Sequence, residues 1–233
     1  MKTVFINAKY TGKVELNKIE LGNLPKKIGL VTTVQFLGNT KEIISYLKNN
    51  GKEVFIGKDN QKNMGQLLGC DVSAAIKIQN NVDAFLYIGS GRFHPIGVAI
   101  NTKKDVFIFN PATNIFSKLD EKEIEKYKKS KKARYAGFLY ADNIGILVST
   151  KLGQCSYKKA VGLKKNLEGK GKKAFIFAFD TLNSNEMENF PFINFWVNTA
   201  CPRIADDEDK KNVIDISELN FIWLSLNNLF FIC

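Results

Sequence analysis

The stretch FINFWVNTACPRIADD, residues 192–207, opens as a strand and closes as a loop. Phe192, Ile193, Phe195, Trp196 and Val197 form a short aromatic and β-branched run, and the Cys-Pro pair beyond it stops any ladder because proline has no N–H to give. Cys201 is therefore presented at a strand end, with Asn198 and Thr199 before it and Arg203 after it. An open α/β sheet keeps its ligands just there, beyond the carboxyl ends of its strands. A single free cysteine is more often a small packing residue, so its neighbours must decide.

Outward from this stretch, buried strands alternate with amphipathic helices. KTVFINA (2–8), KKIGLVTTV (26–34), EVFIG (53–57), DAFLYIG (83–89), DVFIFNP (105–111), GILVST (145–150) and KKAFIFAFD (172–180) read as strands. Between them lies a helix over 39–51, with Asn39 or Thr40 as cap, Ile43, Ile44 and Leu47 on one face and Gly51 just past its end. A short helix over 74–78, a helix opening near Pro95, a long one over about 120–142 and one over 157–167 follow. Unpatterned strands alternating with helices predict an α/β fold of tandem small parallel-sheet domains with flanking helices and right-handed crossovers. We place the domains at 1–142 and 143–233. The loops VTTVQ (31–35), GSGRFHP (89–95), STKLGQ (149–154) and NTACPRI (198–204) each follow a strand, so all should open at carboxyl-terminal sheet edges.

Composition sets bounds on function. Of 233 residues, 45% are hydrophobic and 24% charged, which is ordinary for a globular protein with a proper core. The formal charge of +11 raises nucleic acid as a partner, but the lysines are spread over helix faces and no aromatic interleaving accompanies the densest run, KEIEKYKKSKKAR (122–134). An acidic protein partner fits better, and nucleic acid is not expected. Cys70, Cys155, Cys201 and Cys233 lie far apart with no C-x-x-C pair, which fits neither a secreted disulfide framework nor a zinc ribbon and points to a reducing cytoplasm. FIWLSLNNLFFIC (221–233) is too short and too interrupted for a membrane span and reads as a docking terminal helix, so no membrane is expected.

The chemistry lies in the loops. At GSGRFHPIGVAI (89–100) a strand runs into Gly89, Ser90 and Gly91 and turns into a helix, pointing bare backbone N–H groups outward where an anionic group fits. Singly, such a turn, a lone His94 or Lys151 carries little. Together, GQLLGCD (65–71), GSGRFHPIGVAI, STKLGQ and VNTACPRI (197–204), with VTTVQ, resemble the 2-(3-amino-3-carboxypropyl)histidine synthase family of diphthamide biosynthesis, archaeal type, over nearly the whole chain to about Asp207.

That resemblance implies three similar α/β domains, each giving one cysteine to a central [4Fe-4S] cluster that binds S-adenosylmethionine at its open iron. It implies radical transfer of the 3-amino-3-carboxypropyl group to a histidine of translation elongation factor 2, the first step of diphthamide formation, with an electron donor as a further partner. On this reading Cys70 and Cys201 are metal ligands. Gly89, Ser90, Gly91 and Arg92 face the cofactor's carboxylate, and Gln35, Lys151 and Gln154 line its pocket. No residue is assigned as an acid, base or nucleophile. The family's first domain, which supplies the third cysteine, has no counterpart here except the strand at 1–8, read as its last. Cys155, at a helix start, is a local substitute, although an incidental residue is the commoner case there, and Cys233 is read as incidental. Two functions are thus expected: a transferase completed by a separately encoded amino-terminal domain or by a homologous chain in a dimer, or a non-catalytic accessory subunit. An unrelated nucleotide-binding α/β enzyme is a third.

Overall fold

A computed structural model describes residues 4, 6–58, 63–68, 71–206 and 212–223. Two compact units divide the chain, Met1–Glu125 and Lys126–Cys233, where the sequence placed the boundary after residue 142. The division falls inside one long helix, whose Ile124 packs on a core of the first unit and whose Phe138 belongs to a core of the second.

Among the described residues the first unit holds strands β1 (Lys27–Thr32), β2 (Glu53–Phe55), β3 (Ala84–Ile88), β4 (Asp105–Asn110) and β5 (Ile115–Lys118) in the order β2-β1-β3-β4-β5. The first four are parallel; β5 folds back antiparallel on β4. Helix α1 (Thr40–Asn49) links β1 to β2, α2 (Ser73–Ile76) precedes β3, and α3 (Phe93–Thr102) links β3 to β4. Helix α4 (Glu121–Tyr140) leads into the second unit, where β6 (Asn143–Ser149), β7 (Lys173–Phe179), β8 (Phe195–Asn198) and β9 (Val213–Asp215) lie in the order β7-β6-β8-β9, all parallel. Helix α5 (Tyr157–Gly169) joins β6 to β7, α6 (Ser184–Met187) and α7 (Arg203–Asp206) are short turns, and α8 (Ile216–Trp223) follows β9. The expected α/β class with parallel sheets and flanking helices is the observed one.

Both units use the same local devices. Helix α1 ends at Gly51 (φ +79°) and α5 at Gly171 (φ +82°). In each, the glycine N–H bonds back three residues (Gly51 to Lys48, Gly171 to Glu168) and the next lysine N–H bonds back five (Lys52 to Leu47, Lys172 to Leu167), all at 3.0 Å. These are paired helix-end bonds that only a left-handed residue allows. The same lysines then tie down the chain before the first strand: Lys52 Nζ donates to the Leu24 carbonyl at 2.5 Å, and Lys172 Nζ to Leu139 and Ala141 at 2.8 and 2.6 Å. In the sheets, Gly29 and Gly145 lie opposite Phe85 and Trp196, and a Cβ on either glycine would stand 2.5 or 2.3 Å from the ring. The missing side chain lets an aromatic ring lie flat across the neighbouring strand.

Three expectations are corrected or left aside. The strand expected at 1–8 falls partly outside the described residues; the described ones there, Val4 and 6–8, lie in no strand, and Val4 and Ile6 stand 79% and 87% exposed. An apolar run makes a strand only where a ladder partner and a face to bury against exist, and the described residues of this run have neither. Pro95 is the third residue of α3, not the first; it still lies in the opening turn, where no N–H bond is lost. Most of the predicted terminal helix over 221–233 lies outside the described residues. No described helix is long and apolar enough to cross a membrane.

Candidate functional site

In a sheet whose first strand is flanked on both sides by later ones, the crevice lies where the chain reverses direction across the sheet. In the first unit that point lies between β1 and β3, in the second between β6 and β8. The four loops singled out from sequence are the carboxyl-terminal loops of these four strands: 33–39 after β1, 89–92 after β3, 150–156 after β6 and 199–202 after β8. Each unit therefore gathers two of them at one crevice. A groove of about 630 Å³ lined by Leu24, Asp83, Asp105 and Lys118 lies at the opposite edge of the first sheet and shares no residue with them.

In the first unit, Thr33 leads β1 into a short 3-10 helix over Val34–Asn39, where exposed Gln35 accepts the Tyr10 N–H through its carbonyl at 2.9 Å. Residues 65–67 add to the same edge, with the Thr32 N–H donating to Gly65 and the Leu67 N–H to Thr32, both at 2.8 Å. Cys70 lies outside the described residues; its flanking Leu68 and Asp71 bond to each other at 2.9 and 3.3 Å. After β3, Gly89 is buried, and a Cβ there would meet the Tyr87 hydroxyl at 2.5 Å, so glycine is required. Ser90, Gly91 (φ +77°) and Arg92 are exposed at the start of α3. The Tyr87 hydroxyl donates to the Ser90 carbonyl at 3.2 Å and lies 3.4 Å from His94 Nδ1, which braces the turn from below. Arg92 turns toward β5 and α4, with Nη1 3.4 Å from Ser117 Oγ and Nε 3.7 Å from Glu123.

In the second unit, Lys151, Gln154 and Cys155 are all exposed on the loop after β6, which turns at Gly153 (φ +80°). Lys151 Nζ reaches Thr181 Oγ1 at 3.4 Å. Cys201 is half-buried and not disulfide-bonded. Its loop is held from beneath: buried Asn198 donates from Nδ2 to the Cys201 carbonyl and to Asp215 Oδ2, both at 2.8 Å, and accepts the Ala200 N–H at 3.1 Å. Asp215 also accepts from the Ser217 N–H and hydroxyl, at 2.9 and 2.6 Å, and so caps α8. Burial pushes the Asp215 carboxyl above its ordinary value, against the lowering effect of these donors. Sequence reasoning missed Asp215 and α8, although Asp215 with Glu218 three residues on is a helix-start signature.

Among the described residues no three His, Cys, Asp or Glu side chains gather into a metal site. Cys201 is a thiol at a crevice mouth, beside main-chain carbonyls already satisfied from within, which suits a soft thiolate ligand to iron. Cys70, the other expected ligand, lies outside the described residues.

Known proteins resemble this chain in sequence and in fold. Over 191 residues the chain is 35% identical to the 2-(3-amino-3-carboxypropyl)histidine synthase of Pyrococcus horikoshii, covering 81% of this chain and 54% of that protein. It is 30% identical over 183 residues to the synthase of the same name from Methanocaldococcus jannaschii, covering 75% of this chain and 52% of that one. The chain thus spans about half the length of these relatives. Its fold matches the crystal structure of Dph2 from Pyrococcus horikoshii with a 4Fe-4S cluster at a TM-score of 0.75 and 34% identity, over 91% of this chain and 60% of that one. Residues 2–224 match the diphthamide synthesis protein family, and the chain belongs to it.

Proposed function

We propose that this chain carries out the first step of diphthamide formation as one part of a larger catalytic assembly. It transfers the 3-amino-3-carboxypropyl group of S-adenosylmethionine to a histidine of translation elongation factor 2. The observation that carries the reading is the placement of all four motif loops at carboxyl-terminal crevices, with Cys201 clamped at one of them. Cys70 and Cys201 would hold a [4Fe-4S] cluster, which supplies the electron for cleavage of the sulfonium bond to the methionine γ-carbon. Ser90, Gly91 and the opening N–H groups of α3 offer donors to the cofactor's carboxylate, and Arg92 adds a cation. Gln35 in the first unit and Lys151 and Gln154 in the second are the further polar groups read for the cofactor. A third thiolate would come from outside Cys70 and Cys201.

The test is a reaction in the completed assembly with a one-electron reductant, S-adenosylmethionine and elongation factor 2. The expected products are the modified histidine and 5′-methylthioadenosine, both lost on Cys70→Ala or Cys201→Ala. Mainly 5′-deoxyadenosine would indicate a different bond broken. A fully loaded assembly that cleaves no cofactor would favour the accessory-subunit reading.

A further inference from the structure

We propose that Asn198 is a positioning residue for Cys201, and that its carboxamide, locked by Asp215, sets where the thiol stands. The inference rests on the reading of Cys201 as an iron ligand and deepens it. Asn198 is the last residue of β8 and pairs in register with Asp215, the last of β9. Both are buried, at 0% and 3% exposure. A primary amide has two N–H donors and one carbonyl oxygen, and all are used: one N–H on the Asp215 carboxylate, one on the Cys201 carbonyl, and the oxygen on the Ala200 N–H. Asp215 is fixed in turn by Ser217, so the amide cannot rotate without breaking a bond.

The bond between Asn198 and Asp215 ties the end of β8 to the end of β9. The second N–H goes three residues on, to the carbonyl of the cysteine itself, which also accepts the Ile204 N–H at 2.9 Å as α7 begins. Two donors converging on one carbonyl fix the peptide plane of Cys201 and with it the direction of its Cα–Cβ bond. The strand in the corresponding place of the first sheet, β3, carries no cysteine in its loop and ends in Ile88 with no such amide. The amide therefore stands where a cysteine has to be aimed.

An exchange of the two side chains separates aiming from folding. In Asn198→Asp with Asp215→Asn, the amide at 215 donates to the carboxylate at 198, which still accepts the Ala200 N–H. The cross-strand bond survives, but nothing donates to the Cys201 carbonyl from 198, and a carboxylate faces it. The full chain is labelled under native conditions with iodoacetamide, and Cys201 and Cys155 are read separately by peptide mass spectrometry. Cys155, exposed on another loop, is the internal reference. The double variant should keep the wild-type melting temperature to within a few degrees, while Cys201 labels about tenfold faster relative to Cys155, the effect of one lost buried hydrogen bond. In the anaerobically completed assembly its iron content should fall and its cluster paramagnetic spectrum should shift. Wild-type labelling and spectrum in the folded double variant would overturn the proposal. An unfolded double variant would overturn it too, because the fold would then need the amide for itself. Cys201→Ser is the separate control. If it keeps a full iron content, the ligand reading fails; if it loses iron while the double variant behaves as wild type, only the positioning role fails.

Discussion

Arg92 leaves the turn after β3 with its guanidinium against Ser117 and Glu123, both contacts long and both partners at the surface. A pair of this kind, with side chains 46% and 37% exposed, holds the fold by well under about 1 kcal/mol, so it releases readily to a carboxylate arriving at the turn. Arg92→Ala should therefore leave the melting temperature and the iron content of the assembly unchanged. It should weaken S-adenosylmethionine binding by about 1.5–3 kcal/mol, measured by calorimetric titration, the loss expected for one charge-assisted bond. Equal affinity in the variant would place the cofactor's carboxylate elsewhere. At this scale the sequence showed where the loops lie, because glycine, proline and cysteine mark turns and strand ends whatever their tertiary setting. The supports beneath were hidden. Asn198 reads as a polar neighbour of Cys201, but its partner Asp215 lies 17 residues on, and only the pairing of β8 with β9 brings them together. The brace of Tyr87 and His94 under the turn is likewise created by α3 packing back on its strand.

The elements show which glycines are needed. Gly145 and Gly162 look alike in the sequence, one in β6 and one in α5, yet they stand in opposite surroundings. A Cβ on Gly145 would meet Trp196 at 2.3 Å and force apart the strands that frame the Cys201 crevice, whereas Gly162 has nothing within 4 Å and lies exposed in mid-helix. Gly145→Ala should destabilise the second unit by about 1–3 kcal/mol through overpacking. Gly162→Ala should stabilise it by about 0.5–1 kcal/mol through helix propensity. Urea unfolding of both variants checks this, and a neutral Gly145→Ala would mean that the Trp196 ring has room to shift. The long elements were legible because their buried faces are continuous: the helices at 40–49 and 157–169 and the strands at 84–88 and 143–149 fall where periodicity and glycine stops put them. The short ones were not. β5 and β9, of four and three residues, have no periodicity to read, and each exists because a longer neighbour offers it an edge. The described residues of the run at 2–8, Val4 and 6–8, fail in the converse way, joining no edge.

At the scale of the whole molecule, the number of thiolates governs how a cluster is held. Two of the four cysteines are read as ligands, and Cys155 stands exposed on the loop after β6 while Cys233 lies outside the described residues. A cubane with one open iron needs three thiolates, and an iron without a protein ligand is exposed to exchange and loss, so ligand count governs how well a cluster is retained. Reconstituted anaerobically with iron and sulfide, the lone chain should hold a substoichiometric cluster that a chelator strips within minutes. Adding the amino-terminal portion of a relative such as the Pyrococcus horikoshii synthase should raise occupancy toward four irons per chain and slow the loss. Iron and sulfide analysis with the visible absorption of the cluster measures both. A stable cluster in the lone chain that Cys155→Ala destroys would make Cys155 the third ligand, and a stable one indifferent to that substitution would require a ligand set other than Cys70 and Cys201 with an outside thiolate. The formal charge of +11 adds a second handle on the same assembly. If the added amino-terminal portion or elongation factor 2 offers an acidic surface, the association rate should fall as salt shortens the screening length from about 30 Å at 0.01 M to about 8 Å at 0.15 M, while cluster occupancy, once the assembly has formed, should not change.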